Sequence, residues 1–234
     1  MTVANTILDS NPNTFYYGVG TCVWTITAPV GKYPVLTVTY LDTAPNKDFL
    51  IVFNGATTSA PQLIKASGGS MTSPIVKGST QKLTVAFVST TSNLYTGISA
   101  TVTFSSTPPL CSSPPTITTS GAVIATNPTA AKYAAYEVCA WQITAPVGSI
   151  PILKFTSFAT EANRDLVKVY NGVDAFTGNL IKTLSGSTAP GVITGSQASM
   201  LVTFAANGVN NYAGFKATVT FSGSVATTTT PATT

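Results

Sequence analysis

Glu161 and Asp165 are the only close pair of carboxylates in this 234-residue chain, which carries seven acids in all. The other five, Asp9, Asp42, Asp48, Glu137 and Asp174, are dispersed. Paired carboxylates can cleave a glycosidic bond when they face each other across a cleft. At the rim of a small domain, a structural or cation-holding role suits such a pair better. The plainest alternatives are local: Asp165, following Asn163 and Arg164, can hydrogen-bond its own backbone, and Glu161 can stay solvated or pair with Arg164. Nucleophilic chemistry has less support still. The chain contains no histidine, which removes every Ser-His or Cys-His arrangement and the commonest zinc ligand. The glycines of SGGS, residues 67–70, do not follow a strand and open a helix, so they form a loop and not a phosphate cradle. Three cysteines remain, at 22, 111 and 139.

The residues that must position these groups are apolar or hydroxylic. Hydrophobic residues make up 44% of the chain and charged ones only 8%, against roughly 25% in an average soluble protein. Ser and Thr therefore carry the surface polarity, and Thr favours strands. The net charge is +4, but ten of the eleven cations are dispersed lysines and Arg164 is the only arginine. No cationic stripe is present, which argues against nucleic acid as a partner. No run reaches 18 apolar residues, so no membrane-spanning helix is expected. The first residues, MTVANTILDSNP, lack the basic and apolar regions of a signal peptide, which implies that a signal has been removed or that the chain is a fragment.

CVWTITAPVG at 22–31 returns as CAWQITAPVG at 139–148, an offset of 117 residues. The same offset relates Trp24 to Trp141, Asp48 to Asp165, Asn54-Gly55 to Asn171-Gly172, Leu63-Ile64-Lys65 to Leu180-Ile181-Lys182, Gly97 to Gly214 and Phe104 to Phe221. Such constancy predicts two copies of one unit with no insertion between corresponding residues. Each copy is long enough to bury its own core. The pattern within a copy has period two: VLTVTYL (35–41), FLIVFNG (49–55), KLTVAFV (82–88), ISATVTF (98–104) and their counterparts are short β-rich runs between turns. No convincing amphipathic helix interrupts them, and an antiparallel all-β sandwich is expected. Residues 1–106 would form the first domain, 107–110 a Pro-rich linker, 111–222 the second domain and 223–234 a Thr/Pro-rich tail.

The ordered series Cys-x-Trp-x-Ile-x-Ala-Pro-x-Gly, Asp-hydrophobic-x-x-Val-(Phe/Tyr)-Asn-Gly, Leu-x-Val-x-Phe and Gly-(Phe/Ile)-x-Ala resembles the CUB domain, and the likeness covers nearly all of both copies. It implies two tandem jelly-roll β-sandwiches, extracellular, usually non-catalytic, and binding proteins or glycans. The family pairs four cysteines, first with second and third with fourth. By that resemblance Cys111 and Cys139 form a disulfide, closing a loop of about 28 residues and contributing roughly 3 kcal/mol. Cys22 takes the second position of the first copy; its partner would lie upstream of the chain, or else Cys22 is a free, buried thiol. The third and fourth positions hold Asn46 and Asn163, and the neighbourhoods of Ser67-Gly68 and Ser185, so that bridge is absent from both copies.

Many CUB domains hold Ca²⁺ at one end through three acids with a supporting tyrosine. The resemblance carries these roles to Glu161, Asp165 and Asn207, with Tyr133 in the aromatic place. Asn207 supplies an oxygen but one charge fewer, which lowers the affinity expected. The first copy retains Asp48, has Ala44 and Thr90 at the other two positions, and carries Asp42 nearby with Tyr16 as the aromatic; no calcium is expected there. Trp24 and Trp141 should be core residues, while Tyr16, Tyr17, Tyr133 and Tyr136 flank loops where packing is the default role. No Asn-x-Ser/Thr acceptor is usable, because Asn127-Pro128-Thr129 contains proline. In the Thr-rich tail, Thr227, Thr228, Thr229 and Thr230 are the O-glycosylation candidates.

Two functions follow. The first is a non-enzymatic extracellular structural subunit of a fibril, sheath or matrix, whose partners are copies of itself. The second is an adhesion or recognition module for an extracellular protein or glycan, calcium-dependent through the second domain.

Overall fold

The structure is a computed structural model that describes residues 6–10, 19–69, 75–90, 95–111, 116–173, 175 and 180–223. Among these residues every regular element is a strand, as period-two patterning and β-branched runs require. The first copy contains β1 (Thr6–Asp9), β2 (Gly20–Thr27), β3 (Tyr33–Asp42), β4 (Phe49–Phe53), β5 (Gln62–Ala66), β6 (Ile75–Lys77), β7 (Lys82–Ser89) and β8 (Gly97–Ser105). They form two four-stranded sheets, in the orders β1-β8-β3-β6 and β2-β7-β4-β5.

A short β9 (Thr116–Ile117) precedes the second set: β10 (Val123–Ala125), β11 (Val138–Thr144), β12 (Ser149–Ala159), β13 (Leu166–Asn171), β14 (Leu180–Leu184), β15 (Val192–Thr194), β16 (Ser199–Ala205) and β17 (Gly214–Gly223). Their sheets run β10-β17-β12-β15 and β14-β13-β16-β11-β9. Apart from β9, which pairs parallel to β11, every strand pair is antiparallel and the two copies share one topology. The extra strand covers the edge of β11, whereas its counterpart β2 is an edge strand of its sheet.

The 117-residue offset holds for β4 with β13 and for β6 with β15, but not for β5 with β14. Leu50 lies opposite Ala66, while its counterpart Val167 lies opposite Leu184; Phe53 opposes Gln62, while Tyr170 opposes Leu180. The structural counterpart of Leu180 is therefore Gln62 and not Leu63, a correction to the ungapped repeat. The bulge at Val52/Phe53 and its equivalent at Val169/Tyr170 bring the strands into register with one extra residue in the second copy's intervening loop.

Each sandwich closes on its own apolar layer. The second is aromatic: Trp141 is fully buried and meets Phe215 edge-on at 5.4 Å, and Phe155, Phe158 and Phe204 pack round the same ring. Ile98 replaces Phe215 in the first copy, and Trp24 is only half-buried, short of the core position expected for it. Of the two alternatives for Cys22, the buried one is corrected. Cys22 is exposed on β2, unbridged within this chain, and not a buried hydrophobe, because no described segment lies over it as the Cys111 segment lies over Cys139.

The cores also touch. Val138 and Ala140 of β11 and Leu201 of β16 point away from the second sandwich and join the buried cluster of the first. They meet β5 and β6, burying Gln62, Leu63 and Ile64. Charge crosses this joint as well: Lys77 of β6 attracts Glu137, immediately before β11. Burial raises the Glu137 pKa, while the Leu110 N–H, donating to Oε1 at 2.9 Å, and Lys77 counter that rise.

Candidate functional site

The carboxylate cluster lies at one end of the second sandwich, built from turns that the chain makes tightly. Asn163 takes a left-handed conformation (φ 61°) in the turn after β12, a geometry Asn tolerates. That turn places Glu161 and Asp165 four residues apart, with the Asp165 N–H donating to the Glu161 carbonyl at 3.1 Å. Asp165 is fully buried, and its two oxygens have separate donors: the Tyr133 hydroxyl at 2.5 Å and the Asn207 backbone N–H at 2.7 Å. The Tyr133 hydroxyl in turn accepts the Glu161 N–H at 3.2 Å. Burial first, then the bond to Asp165, pushes the Tyr133 pKa well above its usual value. Tyr133 thus stays a neutral donor that fixes the buried carboxylate.

Glu161 sits further out. Asn207 Nδ2 donates to one of its oxygens at 2.6 Å and Asn210 Nδ2 to the other at 2.6 Å. Those two bonds, Asn210 first, hold the Glu161 pKa below the ordinary carboxylate range. The Asn207 side-chain oxygen accepts the Val209 N–H at 2.8 Å. Glu161, Asp165, Asn207 and Tyr133 therefore form one network, and Arg164 is a weaker influence on Glu161 than either amide. Asn210 has no place in the motif that points to the other four. Its left-handed φ of 56° and the crowded GVNN run are the signals that mark this turn.

In the first copy the corresponding place is a closed hydrogen-bonded turn. Asp48 is fully buried and accepts the Thr90 N–H at 2.7 Å and the Thr90 hydroxyl at 3.2 Å. Ala44 is buried and offers no side-chain oxygen. Asp42 faces elsewhere, accepting the N–H and hydroxyl of Thr96. Tyr16, Tyr17 and Asp174 lie outside the described residues. So do all four O-glycosylation candidates, Thr227, Thr228, Thr229 and Thr230.

Cys111 and Cys139 are joined by a disulfide, with Cα atoms 5.8 Å apart and a separation of 28 positions in sequence. Among the described residues, the only cluster of three cysteines and acids is formed by these two with Glu137. Both sulfurs are consumed in the bridge, so that cluster has no thiolate to offer a metal.

A family model for the CUB domain matches residues 4–102 and again residues 111–219. The chain belongs to the CUB domain family. Among curated relatives, human cubilin is 31% identical over 214 residues, 85% of this chain but 6% of cubilin. The embryonic protein UVS.2 of Xenopus laevis is 27% identical over 225 residues, 92% of this chain and 42% of that protein. The chain thus spans less than half of either relative. Among solved structures, the CUB1-EGF-CUB2 domains of human MASP-1/3 align with 94% of this chain and 100% of theirs, at 16% identity and a TM-score of 0.41. The MASP-1 CUB2 domain bound to Ca²⁺ aligns with 45% of this chain at 18% identity and a TM-score of 0.38.

Both CUB copies lack the second family bridge, and a hydrogen bond occupies the place. Ser67 Oγ accepts the Asn46 N–H at 2.7 Å, and Ser185 Oγ accepts the Asn163 N–H at 2.9 Å. Thr43 and Thr160 add a second tie, their hydroxyls accepting the Gly68 and Gly186 N–H groups at 2.8 and 3.1 Å. Such neutral bonds hold the loops in place but each contributes only about 1 kcal/mol.

For a hard cation, the CUB rim of the second copy offers the right donor chemistry: the Glu161 and Asp165 carboxylates and the Asn207 amide oxygen. Its hydrogen bonding shows what competes. Amide N–H groups already satisfy Glu161, and the Asn207 oxygen is turned to Val209. A cation would have to displace those contacts with two formal charges instead of three.

Proposed function

We propose that this chain is a non-enzymatic extracellular structural protein, a subunit of a fibril, sheath or matrix assembled from its tandem CUB domains. O-glycans on Thr227, Thr228, Thr229 and Thr230 would add to its neutral, hydroxyl-rich surface. The joint between the copies carries this reading. Val138, Ala140 and Leu201 extend the first domain's core into the second, which makes a stiff two-domain block of a kind suited to load-bearing assembly. Recognition modules that grip charged partners need charged loops, and only 8% of this chain is charged. Its partners are accordingly other copies of itself. Electron microscopy of the purified chain at rising concentration is expected to show ordered fibres or sheets that persist in EDTA. Dispersed single particles at every concentration would overturn the reading.

The Glu161–Asp165–Asn207 network favours a second reading, an adhesion or recognition module whose second domain takes calcium to hold a protein or glycan partner. The missing charge makes a definite prediction. Asn207→Asp should tighten calcium binding by about tenfold or more, measured by calorimetry against the unaltered chain. Equal affinities in the two proteins would remove Asn207 from the site.

A further inference from the structure

The joint inside the chain is heterologous: the β5/β6 margin of the first domain packs on the outward face of β11 and β16 in the second. Part of each half occurs again, because each domain carries counterparts of both surfaces. On the first domain, Thr21, Val23, Thr25 and Thr84 occupy the places of Val138, Ala140, Gln142 and Leu201. Ala140 is 5% exposed, whereas Val23 is 52% exposed, and Thr21 and Thr25 are exposed beside it. Thr84 is already buried, its hydroxyl donating to the Gly55 carbonyl at 3.0 Å, so the open part of the face is β2. On the second domain, Leu180 stands in the place of Gln62 and Val192 in that of Ile75. Gln62 is 2% exposed, whereas Leu180 is 54% and Val192 58% exposed.

We propose that a second copy of this chain seats its β14/β15 margin on the β2 face of the first domain, repeating between molecules the joint that exists within one. This rests on the structural reading above and specifies its contact. The chemistry at the repeat of the joint differs from the original. Leu180 replaces the buried amide of Gln62, and Thr25 that of Gln142, so closing it buries fewer amide groups. The Lys77–Glu137 attraction is not reproduced, since Thr194 and Gly20 hold those places. By the β14 register Lys182 stands in the place of the buried Ile64, and β2 offers it no acid, so its ammonium stays at the solvent edge. Apolar contact from Val23, Leu180 and Val192 drives association, and added salt should not weaken it. A heterologous contact that does not close on itself generates an open helical filament.

The test uses the full chain and two surface substitutions, Val23→Lys and Leu180→Lys, at sites exposed enough to leave each domain folded. The unaltered protein should show concentration-dependent association in sedimentation velocity, growing past the dimer. Each variant alone should associate about tenfold or more weakly. Mixed, the two variants should form a 1:1 dimer that grows no further, because one intact margin meets one intact face. Association that stops at the dimer in the unaltered chain, or that neither substitution weakens, overturns the joint. The joint and the structural reading fail separately. Fibres unaffected by both substitutions would sink the joint and spare the reading. A capped mixed dimer without fibres from the unaltered chain would uphold the joint and sink the reading. A chain monomeric throughout would sink both.

Discussion

Trp141→Ala is expected to lower stability by about 3–5 kcal/mol, the range for deleting a large buried aromatic. The side chain is fully buried, and Phe215, its edge-on partner at 5.4 Å, is held between Phe155, Phe158 and Phe204. Such a cage cannot collapse into the space the indole leaves, so the cavity persists. Trp24→Ala in the first domain should lose less, about 1–2 kcal/mol, because Trp24 is half-buried and has Ile98 in the place of Phe215. Denaturant unfolding of both variants checks the asymmetry. Equal losses would mean that the two sandwiches are packed alike after all.

Asp165→Ala should cost a comparable amount, about 3–4 kcal/mol, for a different reason. The substitution removes the acceptor of a buried donor, the Tyr133 hydroxyl, and of a part-buried one, the Asn207 N–H. Each orphaned donor costs about 1–3 kcal/mol. Asn207 also carries the amide that reaches Glu161, so the whole rim should loosen together. Tyr133→Phe tests the same network from its other end, with a smaller expected loss of about 1–2 kcal/mol, since Asp165 keeps the Asn207 donor. Thermal unfolding with Asp165→Ala indistinguishable from the unaltered chain would show that these hydrogen bonds do not organise the rim.

Much of this architecture could be read from spacing. A recurring Cys-x-Trp-x-Ile-x-Ala-Pro-x-Gly fixes the copies, and strict alternation in runs such as VLTVTYL marks strands with one face inward. The register of β14 could not be read that way. LIK recurs in both copies, but the bulged turn before it decides which residue meets Tyr170, and bulges leave little trace in composition. The joint was half legible. VCAWQIT, the sequence of β11, opens on four apolar residues and is buried on both faces, whereas TCVWTIT in β2 opens on threonine, breaks its alternation only at Val23 and is largely exposed. A non-alternating strand at the edge of a repeat is a sign that something covers its outer face. At the rim, the types of Glu161 and Asp165 indicated the place, but the amide contacts of Asn207 and Asn210 depend on two left-handed turns that only tertiary packing selects.

The Cys111–Cys139 bridge gives the two halves of the chain unequal mechanical reach. Pulled at its termini, the second half can let out all its length except the loop closed between Cys111 and Cys139, 28 positions apart, a withheld slack of roughly 90–100 Å at full extension. A reductant would release that slack.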